Sequence, residues 1–190
     1  MIRTTSMQCI QTFIQSISPE FIQSTSTQAQ FYHSIIQLTI KSCKYIIKNT
    51  SNDNIRRPII TLMRLIAIQF KSLQLLCFNF DLYPLINEEN EEEDILLNLI
   101  NIQIRTRVKG LRQLNAITKA TRTGEKERLT GNCIRNVLLP LIFAYINEYN
   151  KAADNQIREE CALAIGFLSE MLNWGHYMSL FRKVYNSVGL

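Results

Sequence analysis

No glycine occurs before Gly110, and this absence limits most strongly what the chain can fold into. Tight turns between β-strands draw on glycine and proline, so a sheet of many strands needs both at short intervals. The 190 residues include only 6 Gly and 4 Pro, while 46% are apolar and 19% are charged. That balance is typical of a folded globular protein. We therefore predict an all-α fold built from long helices.

Apolar residues repeat at helical spacing in the first half of the chain. Ser18, Pro19 and Glu20 predict a helix start, because they supply a capping hydroxyl, a proline in the first turn and an acid near the helix N-terminus. The polar segment 49–54 predicts a turn, and a further helix is expected to open near Pro58. The two stripes are Ile36, Ile40, Cys43 and Ile47, and then Ile59, Met63, Ile66, Phe70, Leu73 and Cys77.

The segment 88–94 holds six acids in seven residues. It predicts a solvated loop that leads into a helix, because the dipole at a helix N-terminus favours carboxylates; an acidic docking site is the alternative. One continuous helix with two stripes is expected after Asp94. The first stripe is Leu96, Ile100, Ile104, Val108, Leu111 and Leu114, and the second is Ile95, Leu99 and Ile102, continued by Arg105, Lys109 and Arg112.

Positive charge is concentrated between Ile95 and Arg135. This segment holds nine Lys/Arg against two acids, a net charge of +7, whereas the whole chain carries +5. Arg105, Lys109 and Arg112 are spaced to share one helical face, and such a face suits phosphate backbones or an acidic protein. An ordinary solvated face, partly neutralised by the acidic run, is the alternative. No aromatic residue occurs at 84–142, so we expect no stacking of bases on this face.

The last third of the chain predicts three more helices. The first spans Asn132 to Tyr149 and should be kinked by Pro140. Asp154 should cap the second, which Gly175 should close, and an amphipathic helix follows. The apolar stripes of the last two helices are Ile157, Cys161, Ala164, Leu168 and Met171, and then Tyr177, Leu180, Phe181, Val184 and Tyr185.

The pair of helices in segment 132–173 has the size of one HEAT repeat, about 42 residues. We therefore predict HEAT-like helical repeats, an α-solenoid segment, with an irregular helical bundle as the alternative. Trp174 is expected to fill the corner between two helices. The alternative is that it forms a binding hot spot for a partner protein.

The residues that usually carry chemistry are few and scattered. There are 5 Cys, with no CxxC pair, and only 2 His, so we predict no metal and no cofactor. No nucleophile, base and carboxylate set accompanies either histidine, and no phosphate-binding glycine loop occurs. We expect no enzymatic activity and no small-molecule substrate. The longest apolar run, Val137 to Ile146, is about half of the roughly 20 residues that span a membrane, so no membrane contact is predicted.

Two passages resemble a known family. The first passage is EDILLNLINIQIRTR at 93–107, followed by VKGLRQL at 108–114. It is similar to a segment of that family in which an acid, two aromatic residues and an Asn come before the pattern HIQ-x-HRR-x-RAL-RL. LLPLI at 138–142 resembles its LLPLI helix, and Trp174, Tyr177 and Leu180 after the helix at 164–172 resemble its L-x-W-x-x-Y-x-x-L ending. The likeness covers about residues 92–186. The family is that of the U-three small nucleolar RNA-associated protein twenty, or down-regulated in metastasis, a very large HEAT-repeat component of the small-subunit processome.

The sequence departs from that pattern at several positions. The family's two histidines are Asn101 and Arg105 here, one arginine of its pair is Thr106, and its aromatic pair is Ile95 and Leu96. On the resemblance we divide the chain into an N-terminal helical segment, residues 1–90, and a segment that carries the likeness, residues 91–190.

The resemblance implies a nucleolar scaffold without catalysis or a cofactor, which supports rRNA processing through contacts with processome proteins and pre-rRNA. Arg105, Arg107, Lys109 and Arg112 are the candidate contacts to rRNA phosphates or to an acidic partner. A helical-repeat adaptor for protein partners, unrelated to ribosomes, is the first alternative. Nucleic-acid binding as the main activity is the second.

Overall fold

The computed structural model of this chain describes residues 2–24, 26–50, 52–71, 82–122, 129–149 and 155–188. Every regular element in these ranges is helical, and the all-α prediction is confirmed. The first α-helices are α1 (Ile2–Gln15), α2 (Pro19–Gln23), α3 (Thr27–Asn49) and α4 (Asp53–Gln69). Short 3₁₀ turns at Tyr83–Leu85 and Glu91–Glu93 precede α5 (Ile95–Leu99) and α6 (Ile104–Arg122). Helix α7 joins Gly131–Cys133, a π-helical turn Ile134–Leu138 and Leu139–Glu148, and is followed by α8 (Asn155–Ser169) and α9 (Trp174–Val188).

Side-chain caps set the starts of the first helices. The Ser18 hydroxyl accepts a hydrogen bond from the Phe21 amide at 3.2 Å, as predicted, but the helix that it starts is only five residues long. Ser26 caps α3 in the same way through the amide of Ala29 at 3.1 Å. The predicted apolar stripe of α3 is confirmed, and its four members are buried: Ile36, Ile40, Cys43 and Ile47.

Helix α4 begins five residues before the predicted start at Pro58. The side chain of Asn52 accepts a hydrogen bond from the Asn54 amide at 2.9 Å, so the helix opens at Asp53 and Pro58 lies inside it. Proline disfavours a helix interior through its missing amide hydrogen, and here the cap and the burial of the stripe outweigh that cost. The buried members of the stripe are Ile59, Met63, Ile66 and Phe70, while Leu73 and Cys77 lie outside the described residues.

The continuous helix expected after Asp94 is wrong, because the chain breaks between α5 and α6. The side chain of Asn101 accepts from the Gln103 amide at 2.9 Å and holds a turn there. Ile102, which was predicted to lie on an apolar stripe, is 74% exposed in this turn. The break lets α5 fold back onto α6 at Gly110, where an added Cβ would lie 2.9 Å from the Cβ of Asn98. Only glycine permits so close an approach.

The last three helices differ in how they are packed. A π-helical turn at Ile134–Leu138 precedes Pro140 in α7, close to the point where the proline was predicted to kink the helix. Helix α8 ends at Ser169, and Gly175 lies inside α9, so the prediction that Gly175 closes α8 is wrong. The residue predicted to cap α8, Asp154, lies outside the described residues.

One apolar core runs through the described residues from Ile14 to Leu180. Helix α6 packs against α5 and α8, α7 packs against α8 and α3, and α4 packs against α1 and α3. The expected pairing of α7 with α8 is therefore present. Helix α9 is attached less extensively, and Leu180 is its fully buried residue among those whose burial is described.

Candidate contact surfaces

The outer side of α6 carries the cations that the sequence places on one face. Arg105, Lys109 and Arg112 are all exposed, and we call these three residues the basic face. The side chains of Lys109 and Arg112 are 48% and 56% exposed. The fourth cation on this side is Lys119, two turns further along the helix, and it is exposed too. The basic face is therefore accessible from solvent.

The three cations of the basic face differ in their partners. Arg112 Nε donates to Glu160 Oε1 at 2.7 Å and so links α6 to α8. Lys109 Nζ lies 3.9 Å from Glu92 Oε2, and because Glu92 is 86% exposed this pair contributes little. Arg105 has no ion-pair partner in the part of the chain that the structure describes. Arg105 and Lys109 are therefore the cations most available to a ligand.

Arg107 must be removed from the candidate contacts, because its side chain is only 1% exposed. It donates to the Asp53 carboxylate and, through Nη1, to the Tyr149 hydroxyl at 2.8 Å. Nη1 also lies 3.5 Å from Glu148 Oε2. A ligand reaches none of these donors without unfolding the start of α6. The arginine instead ties α6 to the start of α4 and the end of α7.

Aromatic rings complete this buried cluster. The guanidinium carbon of Arg107 lies 4.9 Å from the centre of the Tyr145 ring, and Arg56 approaches the same ring to 5.8 Å. Burial raises the pKa of the Tyr145 hydroxyl against the opposing effect of the Arg107 charge. Burial lowers the pKa of Arg107, but Tyr145 and the Asp53 carboxylate more than offset this, and the pKa is raised overall. Arg107 is therefore held in a buried cluster by a carboxylate, a hydroxyl group and two aromatic rings.

The acidic run separates into an exposed part and one buried residue. The acids at 88–93 are exposed, and the predicted solvated loop and helix start are both present. Asp94 is 0% exposed: its Oδ1 accepts from the Leu97 amide at 2.9 Å and caps α5, while its Oδ2 accepts from Arg64 Nε at 2.8 Å. The sequence predicts the helix start, but it holds no signal for the partner of Asp94 in α4.

Trp174 does not plug a helix corner, because 75% of its surface is exposed. Its ring stacks on Tyr177, with centres 5.9 Å apart and planes at 22°. Both rings line an open groove of 1120 Å³ between α8 and α9. We call it the α8–α9 groove, and it is lined chiefly by Ala162, Leu163, Gly166, Phe167, Trp174 and Tyr177, with Glu159 and Glu170 at its rim.

The sequence did not reveal this groove, because it predicted only that the aromatic residues of α9 lie on an amphipathic helix. Tyr177, Phe181 and Tyr185 are 37%, 54% and 50% exposed. Their spacing predicts one face of a helix correctly, but spacing does not tell whether another element covers that face.

Groups that could support chemistry are sparse in the described residues. No cluster of three His, Cys, Asp or Glu residues there has the arrangement of a metal site. Cys43, Cys133 and Cys161 are buried thiols that form no disulfide, and the Cys9 thiol is exposed. In the same ranges, no helix combines the length and apolarity that crossing a bilayer requires.

The sequence is similar over part of its length to one curated yeast protein. It is 27% identical over 103 residues to the U3 small nucleolar RNA-associated protein 20 of Saccharomyces cerevisiae. The matched region is 54% of this chain but 4% of the yeast protein, so the chain corresponds to a small part of that relative's length. No protein-family model matches the chain.

Proposed function

We propose that this chain is a scaffold segment of the small-subunit processome, which supports rRNA processing in the nucleolus through contacts and without catalysis or a cofactor. The observation that carries the proposal is the similarity to the yeast protein, whose name associates it with the U3 small nucleolar RNA. The family resemblance in segment 92–186 and the all-helical fold agree with it. Both fit a protein that works by presenting surfaces.

The proposed architecture is a short α-solenoid of HEAT-like repeats. Helices α7 and α8 are consecutive and pack on each other, and α6 lies against α8. In a solenoid each repeat contacts mainly its neighbours, which leaves long surfaces free for other molecules. Two surfaces of this kind are available here, the basic face and the α8–α9 groove.

The proposed ligand of the basic face is the phosphate backbone of pre-rRNA. Arg105 and Lys109 are exposed cations on one side of a rigid helix, and Arg112 extends the same side. No ring among the described residues of α6 can stack on a base, so recognition would depend on charge and not on sequence. If three phosphates are contacted, the logarithm of the affinity for single-stranded RNA should fall against the logarithm of salt with a slope of about −2.

Two double variants of equal charge test this surface. Arg105→Glu with Lys109→Glu should abolish recovery of small-subunit precursor rRNA with the tagged chain. The control, Lys41→Glu with Lys48→Glu, reverses two exposed cations of α3 and should leave recovery unchanged. Equal loss in both variants would show a response to net charge alone and would remove the basic face from the proposal.

A helical adaptor unrelated to ribosomes is the competing function. The exposed α8–α9 groove favours this adaptor as much as it favours the processome scaffold. The same pull-down separates the two. Recovery of processome proteins and precursor rRNA supports the processome scaffold, and recovery of partners with neither overturns it. Binding of purified RNA that resists high salt would contradict phosphate contacts in particular.

A further inference from the structure

Helix α9 leaves a row of large apolar side chains in solvent. Its four exposed aromatic residues recur at helical spacing, which places them along one side of the helix. Leu163 of α8, on the opposite wall of the α8–α9 groove, is 51% exposed. The exposed aromatic residues are Trp174 at 75%, Tyr177 at 37%, Phe181 at 54% and Tyr185 at 50%. Single exposed apolar residues are common on proteins, but several of them along one side of a helix mark an interaction surface.

The rings of this row are already arranged in the free chain. Trp174 stacks on Tyr177, and Phe181 stacks on Tyr185 with centres 6.5 Å apart and planes at 26°. Stacked rings lose little conformational freedom when a partner covers them, so more of the burial free energy is available for binding. Trp and Tyr are also the residue types enriched where interfaces are strongest.

The floor of the groove is shaped for a helix. Ala162 and Gly166 are one turn apart on α8, and both line the groove. A Cβ added at Gly166 would meet nothing within 4 Å, so there is open space above the backbone at that point. Small side chains at helical spacing let a second helix approach closely while the larger residues hold its sides.

The charge at the groove limits what can occupy it. Glu159 and Glu170 are exposed at its rim, and none of the described residues that line it is basic. The exposed Arg158 and Arg182 belong to the same two helices but lie outside the lining. Acidic rims repel nucleic acid and anionic lipid, and they attract cationic side chains. Glu159 lies in the first part of α8 and Glu170 directly follows its last residue, so eleven residues of helical rise place them about 16 Å apart, roughly three turns.

We propose that the α8–α9 groove binds an amphipathic helix of a protein partner, which carries a Lys or Arg at each end of an apolar face about three turns long. The apolar face covers Leu163, Phe167 and the aromatic row, and the two cations meet Glu159 and Glu170. This inference stands on the groove alone and does not depend on the ribosomal assignment.

Trp174 provides a direct measurement, because it is the single tryptophan of the chain. Two helix-stabilised peptides with the same leucine face serve as probes, one with Lys at positions i and i+11 and one with Glu there. The lysine peptide should shift Trp174 emission to the blue in a saturable way and protect it from quenching by acrylamide. The glutamate peptide should bind at least about tenfold more weakly, since it places like charges at both ends.

Charge reversal in the full chain completes the test. Glu159→Lys with Glu170→Lys should invert the preference and favour the glutamate peptide. Glu89→Lys with Glu91→Lys, an equal change on the exposed acidic loop, should keep the original preference. Leu163→Glu should weaken both peptides without loss of helical circular dichroism, because Leu163 is half exposed and not needed for the core.

Several outcomes would overturn the proposal. These are equal affinity for the two peptides, no response to either, or the same inversion in the control variant. Emission that shifts with the concentration of the chain itself would show that a second copy fills the groove. Peptide binding to the groove does not depend on whether the variant Arg105→Glu with Lys109→Glu still recovers precursor rRNA. Each of the two proposals can therefore be wrong without the other.

Discussion

The two sides of α6 use the same kind of residue for opposite purposes. Arg107 is buried and paired with Asp53, whereas Arg105 is exposed and has no ion-pair partner in the described ranges. Residues two positions apart point about 200° apart around a helix, so one faces the core and the other faces solvent. The buried Arg107 is stabilised by its ion-pair and hydrogen-bond partners, whereas the exposed Arg105 is available to a ligand. Charge counted along the sequence does not separate these roles.

The largest effect is expected from Arg107→Ala. It breaks a buried network, because Arg107 donates to the Asp53 carboxylate and to the Tyr149 hydroxyl. Arg56 still lies 3.1 Å from Asp53, so the free energy of unfolding should fall by about 3 kcal/mol. Arg105→Ala, two residues away, should change it by about 0.5 kcal/mol or less. Denaturant unfolding of both variants measures the difference. Similar losses would mean that the two sides of α6 are not distinct.

The contact between α5 and α6 should be nearly as sensitive at Gly110. Gly110→Ala places a methyl group against Asn98 and the Leu99 backbone and should cost about 1–3 kcal/mol. Gly166→Ala is the matched control, because its Cβ meets nothing within 4 Å and alanine favours a helix by about 0.5–1 kcal/mol. Opposite shifts in the denaturation midpoint are expected, and stabilisation by both would contradict the close approach.

Buried thiols should make the stability fall at high pH. Burial raises the pKa of Cys43 from 9.0 to about 11, and burial with the nearby Glu160 charge raises that of Cys161 to about 12. The folded state therefore keeps protons that the unfolded chain loses above pH 9. Stability is fully present below that pH and declines as pH rises, by up to about 1.4 kcal/mol per pH unit for each thiol.

Alanine at both positions isolates this effect from the rest of the chain. The double variant Cys43→Ala and Cys161→Ala starts less stable because its cavities remain, but its stability should depend less steeply on pH between 9 and 10. Urea unfolding at several pH values gives the two slopes. Parallel slopes would mean that the thiols are not protected. Cys9→Ala, at an exposed thiol, is the control and should leave the slope as in the parent chain.

The smallest effect is expected at Trp174, although it is the largest side chain of α9. Because it is 75% exposed, Trp174→Ala should change the free energy of unfolding by about 0.5 kcal/mol. Leu168→Ala, in the buried side of α8, should cost about 2–5 kcal/mol. Thermal unfolding compares the two. A large loss at Trp174 would restore the prediction that it plugs a helix corner.

Local patterns predicted the helices well and their interruptions poorly. The stripe of α3 and the helix start after Asp94 need only neighbours in the chain, and both are present. The break after α5 and the position of Gly175 inside α9 depend on how helices pack on each other. A stripe of apolar residues continues equally well through a straight helix or a folded-back pair, so the sequence could not separate them.

The candidate surfaces were predicted only in part. The helical spacing of Arg105, Lys109 and Arg112 predicts that they share one face, and the structure shows that this face is exposed. The burial of Arg107 requires Asp53, which lies in another helix. The groove requires that α8 and α9 meet without a covering element. Neither fact involves residues close together in the chain.

The scarcity of glycine and the 3.6-residue apolar repeat determined by themselves that this protein is helical, because both act within a few turns of the chain. Tertiary structure alone decided which arginine is buried and links three helices, where α6 begins and which aromatic residues remain exposed to solvent. Burial and ion pairing depend on the distance between segments that lie far apart in sequence. A pattern of residue types specifies a face of a helix, and only packing decides what that face meets.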